Sequence, residues 1–366
     1  MKIIISLIIA FSIITYTNAQ INPATASFES YSKFDFVPGE QVTFFDDFSN
    51  GAIGDFPVNW NTNGSGEMVT ISNMPGRWLK WSAGVAYSPN LKNYFPDNFT
   101  LEFDLLMKKN EDKEDPYFGL VIYSDDKDVL DNETNGIGKA GTSLITQSTW
   151  EISNWNGGEV QSVGSSSEIT NSDLYNHKTH ISVWGQKQRM RVYVNETKVL
   201  DLPRAFPQGA KLNRVKFSNN PGLNLSNDMA GPIFISNVRI AVGAPDMRSK
   251  LITEGKLVTR GILFDVNSDK IKPESYGTLK EIAQVLKDNA TVKVKIIGHT
   301  DSDGSAAANL DLSKRRSASV KNSLSKDFGI DASRMETDGK GASEPASPNT
   351  TPEGKANNRR VEFIKM

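Results

Sequence analysis

An arginine on the apolar side of an amphipathic pattern is the first residue here that demands a chemical reason. Leu312, Val320, Leu324 and Phe328 share one stripe at about 100° per residue, the helical period. Arg316 falls inside that stripe, whereas Arg315 points away. A buried charge without a partner is costly, and Asp301, in the Gly298-His299-Thr300-Asp301 loop, is the nearest logical carboxylate. Two arrangements are open: the pair closes on itself as an internal bridge, or it is split across a cleft. In the split form the guanidinium fork grips a ligand carboxylate bidentately and Asp301 holds an ammonium. Such a pair suits a zwitterionic amino-acid centre.

Other residues offer chemistry that their spacing does not complete. Glu102-Phe103-Asp104-Leu105-Leu106-Met107 begins as the carboxylate strand of β-glucanases, then places Met107 where the acid/base must stand. A thioether donates no proton, so the two-carboxylate mechanism fails and no catalytic residue is assigned. Glu102 and Asp104 are expected on the wet face of an ordinary strand. His177 and His180 point to opposite faces of a strand, so no metal site is assigned either. Asp125, Asp126, Asp128, Asp131 and Glu133 are oxygen ligands of a kind that suits calcium, but their spacing matches no calcium loop, and a solvated charge run is expected. Trp60, Trp78, Trp81, Trp150, Trp155 and Trp184 could stack sugars, although on sandwich strands they are expected in the core.

The elements that must position these residues fall into two groups. From about 28 to 243, short alternating runs separated by turn residues predict strands. They cover Gln41–Phe45, Trp78–Ser82, Phe99–Leu106, Phe118–Tyr123, Trp150–Ser153, His180–Trp184, Arg189–Val194, Val215–Ser218 and Ile233–Ala241. Around ten strands with almost no helical pattern imply an all-β sandwich. A membrane barrel would need longer strands with an unbroken apolar outer band. Residues 244–256 are polar and rich in turn formers, and are read as a linker. Beyond it, strands at Val258–Val266, Val292–Ile296, Met335–Thr337 and Val361–Ile364 alternate with helices, the last opened by Thr351 with Pro352 at N1. The order βαβαβαβ predicts an α/β sandwich.

Both parts resemble known families. His180-Ile181-Ser182-Val183-Trp184, then Arg191 to Leu200 with its Val192-x-Val194-Asn195 hairpin, and Ile235 to Ile240 resemble concanavalin-like, laminin-G-type jelly rolls. This likeness implies a lectin-like architecture without a sugar specificity. Over 257–366 the resemblance is to the OmpA C-terminal family. It is carried by Phe264-Asp265-x-Asn267-Ser268, Ile297-Gly298-His299-Thr300-Asp301-Ser302-x-Gly304, Asn309-x-x-Leu312-Ser313-x-x-Arg316, Gly339-x-Gly341-x-x-x-Pro345 and Asn358-Arg359-Arg360-Val361-Glu362. That family implies non-covalent binding of peptidoglycan through the diaminopimelate of the stem peptide. Asp301 would take the ammonium and Arg316 the carboxylate, with Asn267, Thr300, Asn309 and Arg359 adding hydrogen bonds. Gly298 and Gly304 would let the loop backbone approach the ligand. Ser317 stands where the family usually has Ala, a small change.

Composition sets the remaining bounds. Met1-Lys2, an apolar run from Ile3 to Ile14 and small residues at Thr17-Asn18-Ala19 read as a signal peptide over 1–19. The run is shorter than the roughly 18–20 residues that span a bilayer. The chain has no cysteine, which excludes disulfides, thiolate chemistry and a lipidated cysteine, and its three histidines argue against a His-rich metal site. No cofactor is implied. The net charge of −2 hides an acidic part, with 21 Lys+Arg against 27 Asp+Glu in residues 1–249, and a basic part, with 20 against 16 in residues 250–366. Neither balance points to nucleic acid. The expectation is a non-enzymatic envelope protein of a Gram-negative bacterium, exported to the periplasm and associated with the wall and outer membrane. Peptidoglycan is the expected partner, and the sandwich offers a second surface to a glycan or an outer-membrane protein. The alternative is a wall-tethered glycan-active enzyme or a lectin built on the sandwich.

Overall fold

A computed structural model describes residues 34–366 apart from 132, 220, 222–230, 244 and 245. The signal-peptide segment and the first two linker residues lie outside the described residues. Strands begin with β1 (Gln41–Asp46), β2 (Trp60–Thr62), β3 (Gly66–Ile71), β4 (Met74–Trp81), β5 (Ala86–Pro89), β6 (Asn98–Met107), β7 (Phe118–Ser124) and β8 (Ala140–Thr146). They continue with β9 (Trp150–Asn156), β10 (Glu159–Ser166), β11 (Thr179–Gln186), β12 (Arg189–Val194), β13 (Thr197–Leu202), β14 (Arg214–Asn219) and β15 (Ile233–Val242).

These strands form two antiparallel sheets. One runs β13-β12-β11-β6-β15-β4-β3 with β1 also on β15, and the other runs β10-β9-β8-β7-β14-β5-β2. All nine strands expected from alternation are present. The unexpected ones, such as β8 with Ala140-Gly141-Thr142-Ser143 and β10 with Gln161-Ser162-Val163-Gly164, carry small or polar residues that leave no alternation to read. Between the sheets Phe99, Leu101, Phe103, Leu105 and Met107 of β6 meet Leu120, Ile122 and Phe217. Five of the six tryptophans are at most 4 % exposed, and half-buried Trp184 lies between Phe36 and the Arg191 guanidinium.

The outer face of β6 departs from expectation. Glu102 and Asp104 are 2 % and 3 % exposed, not wet. The chain at 36–40 crosses this face, with the Gly39 amide donating to Thr100 Oγ1 at 3.1 Å. Cations from both neighbouring strands close over the carboxylates: Arg239 Nη1 lies 2.5 Å from Glu102 and His180 Nδ1 lies 2.8 Å from Asp104. Lys178 and Asn237 also donate to Asp104. The alternation that signals a solvated face is thus satisfied by a second, ionic layer. Buried and fully paired, these carboxylates are out of reach of a sugar.

The acidic run holds an internal cation. Lys216, with a wholly buried side chain, donates to Asp131 Oδ1 and to the Asp131 and Glu133 carbonyls at 2.9, 3.0 and 2.5 Å. Asp128 accepts from Asn61 and Ser88, and Asp126 pairs with Lys139. Lys216→Met should orphan the two carbonyls and cost about 1–3 kcal/mol. Amide exchange across 125–133 should accelerate, and unchanged exchange would show that Lys216 does not hold the loop.

The C-terminal part has β16 (Lys256–Thr259), α1 (Tyr276–Asp288), β17 (Val294–His299), α2 (Ala306–Lys326), β18 (Met335–Gly341), α3 (Pro352–Asn358) and β19 (Val361–Lys365). The sheet order is β16-β19-β17-β18, with β17 and β18 parallel and the other pairs antiparallel. This is the expected βαβαβαβ order. Thr351 caps α3 by accepting from the Gly354 amide at 3.0 Å, with Pro352 at N1. The strand expected over Val258–Val266 stops at Thr259, because the chain turns to meet the sandwich. Gly261 backs onto Pro38, and a Cβ at Gly277 would collide with the Phe36 carbonyl. Asn357 completes the contact, accepting from the Val42 amide at 3.1 Å and donating to its carbonyl at 2.9 Å. Among the described residues no helix is long and apolar enough to cross a membrane.

Candidate functional site

The loop after β17 is pinned before any ligand arrives. The Thr300 amide donates to the Gly341 carbonyl at 3.0 Å, and its hydroxyl donates to the Asp301 carbonyl at 2.8 Å. Asn309, in the first turn of α2, donates through Nδ2 to the carbonyls of Asp301 and Asp303 at 3.3 and 2.9 Å. Buried Asn309 thus ties the helix to the loop, while the Asp303 amide donates to Asp301 Oδ1 at 3.1 Å.

Arg316 leaves the same helix two turns later. Its Nε donates to the Ser268 carbonyl at 2.9 Å, its Nη2 reaches the Asp265 carbonyl at 3.4 Å, and its guanidinium lies 4.8 Å from the centre of the Phe264 ring. The turn that supplies these carbonyls contains Asn267, exposed at φ 55°, a left-handed conformation that asparagine tolerates. Burial and the neighbouring Arg359 charge push the Arg316 pKa down to about 10, against the pull of Asp301, so it stays charged near neutral pH.

Asp301 and Arg316 do not bridge. Asp301 Oδ2 instead pairs with Arg359 Nη1 at 2.6 Å, and Arg316 has no ion-pair partner among the described residues. Thr300, Asp301, Asn309, Arg316 and Arg359 nonetheless come together at one end of the mixed sheet, while exposed Asn267 only shares the turn whose carbonyls hold Arg316. Phe264, His299, Arg316, Arg359 and Arg360 line a cavity of roughly 100 Å³ there. His299 is buried with neither ring nitrogen hydrogen-bonded, and burial with the Arg360 charge lowers its pKa to about 4. It is neutral near pH 7.

One sequence expectation needs correction. The expected stripe is buried at Val320, Leu324 and Phe328, but in the first half of α2 the buried residues are Asn309, Ser313 and Ser317, with Leu312 half-buried. Small residues occupy the first half of that face because the helix presses directly onto strand backbone. Gly298 serves this contact, since a Cβ there would collide with the Ser313 carbonyl and neighbouring backbone atoms, and it also lines the cavity. Gly304, at φ 88°, faces open space and is required by the loop's conformation. Gly298→Ala should cost about 1–3 kcal/mol as overpacking and displace α2, carrying Arg316 with it. An unchanged urea midpoint would contradict this packing.

Sequence reasoning missed Phe264 beneath Arg316 and Phe45 beneath Arg359. Phe264 opens the Phe264-Asp265-x-Asn267-Ser268 motif, which by itself assigns the ring no role. Phe45 belongs to the sandwich, 314 positions from Arg359 along the chain, and no local pattern could connect them.

The C-terminal fold places a small arginine-lined cavity at one end of its mixed sheet, beside the Asp301 loop. Residues 263–359 match the model of the OmpA family, and this segment is an OmpA family domain. The chain is 40 % identical over 128 residues to a probable lipoprotein, YiaD, of Escherichia coli (strain K12), covering 32 % of this chain and 58 % of that protein. It is 37 % identical over 111 residues to outer membrane porin F of Pseudomonas aeruginosa, covering 30 % of this chain and 32 % of that one. The chain therefore spans less than two thirds of either relative. Among solved structures, the cell wall anchor of the T6SS from Pseudomonas aeruginosa aligns at 31 % identity with a TM-score of 0.28, over 30 % of this chain and 80 % of that one.

Proposed function

We propose that this protein binds peptidoglycan non-covalently through residues 257–366, gripping the zwitterionic end of the stem peptide's diaminopimelate. Asp301 receives the ammonium and Arg316 the carboxylate. Thr300 and Asn309 hold the loop, while Asn267 and Arg359 contribute hydrogen bonds at the rim. The observation that carries the reading is the state of Arg316: charged, half-buried and held by two carbonyls of the 265–268 turn, without a carboxylate of its own. A guanidinium so placed has its neighbours satisfied by dipoles and its charge left for a ligand.

The role is binding and not turnover, and the protein works in the periplasm of a Gram-negative envelope, at the wall and outer membrane. The sandwich, residues 28–243, is then the part the wall anchor tethers, through the linker at 244–256. Co-sedimentation with purified sacculi tests the reading. The parent chain should pellet with the wall, and Asp301→Ala and Arg316→Ala should stay in the supernatant. If both variants pellet as the parent does, the site assignment is wrong.

A further inference from the structure

The contacts of Arg359 are not confined to the OmpA family domain. Arg359, which neutralises Asp301, follows the seven-residue helix α3, and the end of that helix is fastened to the sandwich. Both amide atoms of Asn357 are bonded to the backbone of Val42 in β1, and Ala356 packs with Val42 and Ala241. Arg260 spans the same junction, donating to the Glu40 carbonyl at 2.5 Å and the Asn357 carbonyl at 3.0 Å. Three residues beyond Val42, the half-buried Phe45 ring lies under Arg359, its centre 5.0 Å from the guanidinium carbon. The Arg359 side chain thus has two holds: the Asp301 carboxylate at 2.6 Å and the face of Phe45.

We propose that the sandwich completes the ligand site, with Phe45 acting as a positioning residue for Arg359. An ammonium docking on Asp301 must displace some of Arg359's claim on that carboxylate. The π-face of Phe45 supplies a second attractive surface for the guanidinium, so Arg359 can yield one carboxylate oxygen yet remain at the rim. Without the ring, Arg359 has only Asp301 to hold and competes with the incoming ammonium. Wall affinity in this protein then depends on the sandwich being docked on α3. This inference rests on the binding reading above.

The test is calorimetric titration of the full chain with meso-diaminopimelate. Phe45→Ala should weaken binding about 3- to 10-fold, the scale of one partly exposed cation–π contact. Phe45→Tyr, which keeps the ring face, should bind as the parent does. Phe45→Leu keeps the apolar bulk without the ring and should behave like alanine, which covers the case in which the alanine chain unfolds. In an Arg359→Ala background Phe45→Ala should add nothing, because the cycle isolates the pair. Parent-like or tighter binding by both Phe45→Ala and Phe45→Leu, with Asp301→Ala still defective, overturns this inference alone. A parent that fails to bind, or an Asp301→Ala chain that binds equally well, removes the binding reading and this inference with it.

Discussion

Asp301→Ala and Arg316→Ala should each weaken meso-diaminopimelate binding by about 2–5 kcal/mol, the range for truncating one partner of a desolvated charge pair. That corresponds to roughly 30-fold or more, since about 1.4 kcal/mol is a factor of ten. The loss is large because each truncation leaves the opposite ligand charge facing a partly buried site. Arg316→Lys is the sharper variant. The guanidinium uses Nε and Nη2 on the Ser268 and Asp265 carbonyls and stacks on Phe264. A lysine ammonium carries the same charge but cannot keep that fork geometry while also facing a carboxylate. It should recover little of the lost affinity. Full recovery with lysine would mean that Arg316 supplies only long-range charge, and that its held geometry is irrelevant to binding.

His180→Gln should destabilise the sandwich by about 3–5 kcal/mol, the cost of breaking a buried ion cluster by removing one member. His180 Nδ1 is 2.8 Å from Asp104, and Nε2 is 3.7 Å from Glu102, an ion-pair distance too long for a hydrogen bond. Burial alone would lower the histidine pKa, but the bonds and charges of the two carboxylates outweigh it and raise the pKa to about 10. Despite their burial, Arg239 and then His180 hold Glu102 below the ordinary carboxylate range, and His180 and then Lys178 hold Asp104 there. The folded-state pKa of His180 therefore lies above its unfolded value of about 6.5. Its stabilisation is fully present below pH 6.5 and is lost as pH rises through about 10. Urea midpoints of the parent should fall between pH 6.5 and 10, and those of His180→Gln should start lower and fall less. Parallel pH profiles for the two chains would show that His180 does not carry the cluster's charge.

The sequence already located much of this. Alternation in β6, β7 and β15 reported strands buried between two sheets, and the spaced Gly, Asp and Arg motifs marked the loop after β17, helix α2 and Arg359. It also singled out Arg316 as a charge needing an outside reason. The readings that failed share one cause: a residue type reports its own polarity and not what covers it. Glu102 and Asp104 looked solvated because they alternate with Phe103 and Leu105, yet Arg239 and His180 arrive over them from neighbouring strands. Leu312 looked like part of the buried stripe, yet its neighbour Ser313 is the buried one, because backbone at Gly298 and Gly339 comes too close for a larger side chain.

By itself, then, the sequence determined in what order the C-terminal elements run and singled out Arg316 as a charge inside an apolar stripe, because helical and strand periods are local properties. Only the tertiary structure decided the pairing within the candidate site. Asp301 closes on Arg359 and leaves Arg316 without an acid among the described residues, and the ring beneath Arg359 comes from β1 of the sandwich. That choice depends on distances between segments far apart in the chain, which the docking of α3 on β1 sets and no spacing of residues encodes.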